Sequence, residues 1–371
     1  MYANGQTLIH LFESKFPKYL AMPEDKIGLQ AGTLQKEIKR VMIALEATEA
    51  VVDEAAAKEI DLLIVHHALI FRPLKHLRTD TPSGRVIEKL LKHNIAVYAA
   101  HTNLDIAEGG VNDLMAEALG LTECKPLEIT YEEPLYKLVV FIPEDHHDQV
   151  LQALSAAGAG WIGNYSHCTF NLNGTGTFMP REGTNPFIGS QGKLEKVKEV
   201  RLETIVPQSL RNKAVQKMIQ AHPYEEPAYD LYPLALPGKK HGLGRIGRLP
   251  EELTLDELAR KVKQAFAVDA VRVTGDGNRR IRKAAVLGGA GAKYVGAAQF
   301  AGADVLITGD IDYHTAQDAL AAGMCLIDPG HHAEQMMKRG VANTLKQLLS
   351  DAKYSTEVIV SETNTDPFRF V

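Results

Sequence analysis

The chain is poor in cysteine. Its 371 residues include 3 cysteines, Cys124, Cys168 and Cys325. They lie far apart and form no CxxC pair, which argues against a disulfide framework and against a thiolate metal site. The same scarcity suits a reducing compartment. No apolar run approaches the roughly 18 residues that a bilayer-spanning helix needs, so no membrane role is expected. The opening Met1-Tyr-Ala-Asn-Gly-Gln-Thr7 lacks the charged and then apolar order of a secretory signal. A cytoplasmic protein is the resulting expectation. The formal net charge is −5 and no block of Lys or Arg stands out, so nothing points to a nucleic-acid partner. There is no P-loop and no Gly-x-Ser-x-Gly nucleophile elbow.

What the chain does have is an ordinary globular balance, with 45% hydrophobic and 23% charged residues. Its length predicts two or three domains. Short apolar runs alternate with amphipathic ones. Residues 40–45, 62–65 and 95–100 read as strands, and 48–60, 83–93 and 110–119 as helices, with Ser83 as an N-cap. This order predicts parallel βαβ units with helices on both faces. From about residue 134 the order becomes strand, helix, two strands, helix, strand, which is ferredoxin-like. From about 238 the first pattern resumes, with a helix at 253–266 capped by Thr254 and Glu257, and a final edge strand at 357–360. The expected fold is therefore α/β, with two similar lobes of mostly parallel sheet at 1–133 and 237–371 and an α+β insert at 134–236. Asp61-Leu-Leu-Ile-Val-His66-His67 and Asp304-Val-Leu-Ile-Thr-Gly-Asp310 run in the same register, as two such lobes would.

Ligands of open parallel sheets bind outside the carboxyl ends of the strands. Here those ends carry metal-type donors. His66 and His67 follow one strand and Asp105 the next. His331 and Glu334, spaced three apart, follow a third. Three imidazoles and two carboxylates exceed what one structural zinc takes, and structural zinc is usually cysteine-rich. The set suits two divalent metals with bridging carboxylates and room for water. Nitrogen and oxygen donors without sulfur are compatible with Zn, taken first, or with Fe, Mn, Co or Ni. His101, Thr102 and Asn103 lie on the Asp105 loop, and Asp310, Asp312 and His314 on the strand end matching His66 and His67. They are candidates for orienting ligands or binding substrate, although Asp312 reads better as a helix cap. The pair His146-His147 reads as a solvated helix start, and His222-Pro-Tyr-Glu-Glu-Pro227 as a proline-bounded helix stop. Gly242-Leu-Gly244-Arg-Ile-Gly247 matches a dinucleotide fingerprint in letters only.

Leu63-Ile-Val-His66-His67, His101-Thr-Asn-Leu-Asp105 and Gly330-His331-His332-Ala333-Glu334 together resemble the Nif-three-like metal-binding family, the GTP cyclohydrolase I type 2 homologs. Asp25-Lys-Ile-Gly-Leu-Gln-Ala-Gly32 is similar to that family's entry motif and Asn364-Thr-Asp-Pro-Phe368 to its C-terminal tail. The insert resembles the PII/CutA-like domain of the longer bacterial members. The resemblance implies a dinuclear site at His66, His67, Asp105, His331 and Glu334, and a toroidal homohexamer. Many short members space the last His and Glu by four, whereas here Gln335 holds that place. The family name implies hydrolytic opening of the guanine imidazole ring of GTP. A metal-bound hydroxide would attack the ring, and His101 or His314 would be the acid. The alternatives are a metal-dependent phosphoesterase and a non-enzymatic assembly that handles metal or senses a ligand through its insert.

Overall fold

The computed structural model describes all 371 residues. They form two compact units, one made of residues 1–131 and 241–371, the other of 132–240. The architecture is α/β with several mixed sheets. No helix is long and apolar enough to cross a membrane.

The first unit holds two large sheets. One has the order Glu357–Val360, Arg40–Ala44, Leu62–Val65, Ala96–Ala99, Gly28–Ala31. Its first four strands are parallel and the fifth is antiparallel. The other has the order Arg272–Thr274, Cys325–Asp328, Val305–Gly309, Arg280–Ala290, Lys240–Thr254, Thr122–Glu132. Only its Arg280–Ala290, Val305–Gly309 and Cys325–Asp328 strands run parallel. The central strands carry apolar residues on both faces because both faces are covered; all four residues of Leu62–Val65 are 0% exposed.

The repeat seen in the letters is also present in the hydrogen bonding. Asp61 Oδ2 accepts the N–H groups of Lys39 and Arg40, at 2.7 and 3.0 Å. Asp304 Oδ2 accepts those of Arg282 and Lys283, at 2.9 and 2.8 Å. Each aspartate thus ties the start of its own strand to the start of the strand beside it. The matching registers bring His66-His67 and Gly309-Asp310 to equivalent strand ends.

Several expectations need correction. The sheets are mixed, because antiparallel strands, Gly28–Ala31 in one and Arg272–Thr274 and Lys240–Thr254 in the other, flank the parallel centres. The Thr122–Glu132 strand does not stand out in the sequence because most of it is exposed. Thr81, and not Ser83, caps the helix Pro82–Lys92, with Pro82 in the first turn, where its missing N–H costs nothing. The apolar spacing of residues 333–350 predicts one helix, but the helix starts at Met337 and His331–Met336 form a tighter 3₁₀ turn first. The dinucleotide-like glycines lie inside the strand Lys240–Thr254, and the next helix starts only at Leu255, so they do not open onto a helix N-terminus that could hold a phosphate. The Thr254 and Glu257 capping box is present.

The second unit is a four-stranded antiparallel sheet in the order Tyr229–Leu234, Leu135–Pro143, Glu195–Pro207, Thr169–Phe178. Helices His147–Ala156 and Gln208–Ala221 cover one face through Val150, Leu154, Ala214 and Met218. In chain order this is the ferredoxin-like arrangement.

Candidate metal centre

The strand Leu62–Val65 ends where the N–H groups of His66 and His67 both donate to the carbonyl of Leu45, at 3.0 and 2.9 Å. This shared acceptor fixes the backbone of both histidines. Asp105 lies in the short helix Thr102–Ile106. The buried Asn112 holds that segment in place: its Nδ2 donates to the Asp105 carbonyl, and its Oδ1 accepts from the Gly288 N–H, each at 2.9 Å. Glu334 projects from the 3₁₀ turn His331–Met336. Strand Arg280–Ala290 reaches it through Gly289, whose φ is +64° and where a Cβ would stand 2.9 Å from Glu334 Oε1. A larger residue there would have to displace Glu334 and adopt a left-handed backbone.

These segments bring the five sequence candidates together. His67 Nε2 lies 3.0 Å from Glu334 Oε2. His66 Nε2 lies 3.6 Å from Glu334 Oε1 and 3.6 Å from Asp105 Oδ1. His331 Nε2 lies 3.4 Å from Glu334 Oε2. Two donor groups share His66, namely His66-His67-Glu334 and His66-His101-Asp105, with donor atoms all within 4.8 Å of one another in each. His101 therefore stands among the donors. His314 lies elsewhere, exposed on the helix Tyr313–Ala321, its ring against Tyr313. Asp312 caps that helix by accepting from the N–H groups of His314 and Thr315.

Each of the four imidazoles is held by its other nitrogen. Nδ1 of His66 donates to the Ala100 carbonyl at 3.0 Å. Nδ1 of His67 faces Glu46 at 2.7 Å, that of His101 faces Asp25 at 2.9 Å, and that of His331 faces Asp310 at 2.7 Å. Carbonyl and carboxylate oxygens accept protons in these bonds, so each ring presents Nε2 to the centre. Metal-binding histidines are oriented in this way. Asp310 is itself held with a φ of +57°, an uncommon backbone for a residue other than glycine.

Burial and charge fit a cation. His66 is 0%, Asp105 7% and Glu334 3% exposed. His66 Nε2 and Asp105 Oδ1 are buried with no hydrogen-bond partner. Such orphaned atoms are costly, and a divalent ion would satisfy both. Without an ion, burial raises the pKa of Asp105, and the charge of Glu334 adds to the rise. Burial also opposes ionisation of Glu334, but His66 and His331 outweigh it and hold that carboxyl well below the ordinary range. Burial disfavours charge on His67, yet Glu334 and Glu46 raise it to about 9. The hydrogen bond to Glu334 raises His331 to about 9 as well. His67, His101 and His331 also line, with Phe71, a cavity of about 580 Å³.

Three oriented partners escape sequence reasoning: Glu46, Asp25 and Asn112. They sit 21, 76 and 7 residues from the groups they hold, and no local spacing marks them. His332 keeps apart, with Nδ1 3.7 Å from Asp366.

A family model described as Duf34/NIF3 (NGG1p interacting factor 3) matches residues 3–367. The chain belongs to the Duf34/NIF3 family. A family relative in Halalkalibacterium halodurans, named GTP cyclohydrolase 1 type 2 homolog, is 58% identical over 369 residues, covering 100% of this chain and 99% of its own. A Bacillus subtilis relative of the same name is 53% identical over 368 residues, covering 99% of each. Among solved NIF3 structures, a Bacillus cereus protein related to NIF3 superposes with a TM-score of 0.95 at 52% identity, with 100% of both chains covered. A Staphylococcus aureus protein matches with a TM-score of 0.77 at 31% identity, covering 100% of this chain and 99% of its own.

Proposed function

We propose that this NIF3-family chain is a metal-dependent hydrolase of the GTP cyclohydrolase kind. In this reading it holds two divalent ions, zinc first, on His66, His67, Asp105, His331 and Glu334, with His101 as a further donor. The carrying observation is the set of four imidazoles tied at Nδ1, with Nε2 turned to two buried carboxylates. Bound metals supply Lewis-acid polarisation and water activation. The chain's own residues do the rest. Asp25, Glu46, Asp310 and the Ala100 carbonyl fix ring orientation. Glu334 and Asp105 balance charge between the two donor groups. The open cavity leaves room at His67, His101 and His331 for a guanine ring or related heterocycle. Of the two acid candidates only His101 lies at the centre, and it could hold a proton at Nε2 only where that nitrogen is not a metal donor, its Nδ1 being bonded to Asp25.

A phosphoesterase would use the same metals, and a metal-handling assembly would need no cavity. The cavity favours an enzyme. We carry the family's homohexamer, the cytoplasmic location and the division into lobes 1–133 and 237–371 around a PII/CutA-like insert as parts of the proposal. The strand order of the insert supports its last element.

The test is GTP turnover by metal-loaded protein beside His67→Ala and Asp105→Ala variants, with metal content measured on all three. More than one ion per chain is expected, with turnover lost in both variants. Absent turnover, or full turnover in both variants, would defeat the cyclohydrolase reading. Absent metal after reloading would defeat the site.

A further inference from the structure

The insert has a cavity of its own. One face of its sheet packs on the helices through Leu138, Val140, Leu202 and Val206. Strand residues alternate between faces, so Phe141 and Glu199 point to the other side. There the stretch 179–192 folds over them, leaving a cavity of about 510 Å³. This cover is pinned in place. Gly192 N–H donates to the Pro180 carbonyl at 2.9 Å, and Asn185 N–H donates to Glu225 at 3.0 Å.

Four aromatic residues line the space: Phe141, Phe178, Phe187 and Tyr224. Phe178 and Phe187 lie 5.5 and 6.5 Å from the Tyr224 ring, centroid to centroid. Tyr224 is set by the motif that reads as a mere helix stop. His222 Nδ1 accepts the Tyr224 N–H at 3.0 Å while its Nε2 donates to the Phe141 carbonyl at 2.9 Å.

At the base lies Glu199, only 7% exposed. The Tyr224 hydroxyl donates to its Oε1 at 2.9 Å, and no lysine or arginine pairs with it. Room for the carboxylate comes from the edge strand Thr169–Phe178. A Cβ on Gly176 would stand 2.0 Å from Glu199 Oε2. The Tyr224 hydroxyl is the one hydrogen-bond donor to it, so this carboxylate can accept a further, cationic donor. Glu225 and Glu226 also line the cavity, against a single cation, Arg181. That balance repels phosphates and carboxylates.

We propose that this cavity binds a small organic cation, its ammonium or amidinium group on Glu199 and its apolar body among Phe178, Phe187 and Tyr224. Aromatic faces attract cations, and the volume lies in the range of small-molecule sites. The insert is then a ligand-binding module whose chemistry is independent of the metal centre.

The test uses the full chain and ligand-observed NMR titration at pH 7 with three probes of similar shape: cationic benzylamine, neutral benzyl alcohol and anionic benzoate. Benzylamine is expected to bind saturably, and the other two at least about tenfold more weakly. Glu199→Gln and Phe187→Ala should each weaken benzylamine by about tenfold, with the thermal midpoint retained. Phe187 is 53% exposed, so its truncation leaves the core intact even if Glu199→Gln disturbs folding. No saturable benzylamine binding, equal binding of benzoate, or unchanged affinity in both variants overturns the proposal.

Discussion

His67 Nε2 lies 3.0 Å from Glu334 Oε2, although 267 residues separate them. Neither strand end builds the centre alone. The segment after Leu62–Val65 supplies His66 and His67, and the turn His331–Met336 supplies the carboxylate of Glu334 that faces them.

Asp25 is the clearest test of orientation without ligation. It accepts from His101 Nδ1 and from the Thr102 N–H, both at 2.9 Å. Burial opposes its charge, yet these bonds hold its pKa below the usual carboxylate range. Asp25→Asn should weaken metal binding by about 10- to 100-fold while the fold persists. Competition with a chelator of known affinity reads this out. An unchanged affinity would show that His101 needs no such support.

Arg245 should matter for stability far more than its place in a glycine-rich motif suggests. It is 5% exposed. Its guanidinium donates to the carbonyls of Gly242, Gly244, Ile106 and Ala107 and pairs with Asp113. Arg245→Ala leaves four carbonyls without their donor and the 29%-exposed Asp113 without its cation, so the urea midpoint should fall by the equivalent of about 2 kcal/mol or more. Arg245→Lys should not restore it, because an ammonium cannot span four carbonyls. A loss below about 1 kcal/mol, typical of surface pairs, would refute this reading.

Glu54 gives a pH signature. Its carboxylate accepts from Ser361 Oγ at 2.7 Å, the Glu362 N–H at 3.0 Å, Thr363 Oγ1 at 2.6 Å and Lys58 Nζ at 2.8 Å, tying down the tail. Burial resists ionisation, but these donors prevail and lower its pKa from 4.5 to about 2. A depressed pKa means stability that is fully present above 4.5 and lost as the pH falls toward about 2. Glu54→Gln should therefore be less stable than the parent at neutral pH by on the order of 1–2 kcal/mol, allowing for solvent screening. That gap should close across the acid window. A gap independent of pH would mean that the charge of Glu54 contributes nothing.

Local rules made much of the first unit legible. Leu62–Val65 is a strand because four consecutive apolar residues suit a strand covered on both sides. Thr254 with Glu257 starts a helix because each side chain reaches the other's backbone. Asp312 caps for a similar reason. Long-range partners left no such trace. Thr122–Glu132 joins a sheet edge through pairing with a strand far along the chain, so its exposed residues carry no burial pattern.

The same division holds at the centre. By itself the sequence determined which residues end the strands, because apolar runs that stop at His66-His67 or just before His331 dictate their own local geometry. Only the tertiary structure decided that these ends meet, that His101 joins the donors, and that Asp25, Glu46 and Asp310 aim the rings. Hydrogen bonds between remote segments depend on where the folded chain places them, and separation along the sequence does not encode that distance.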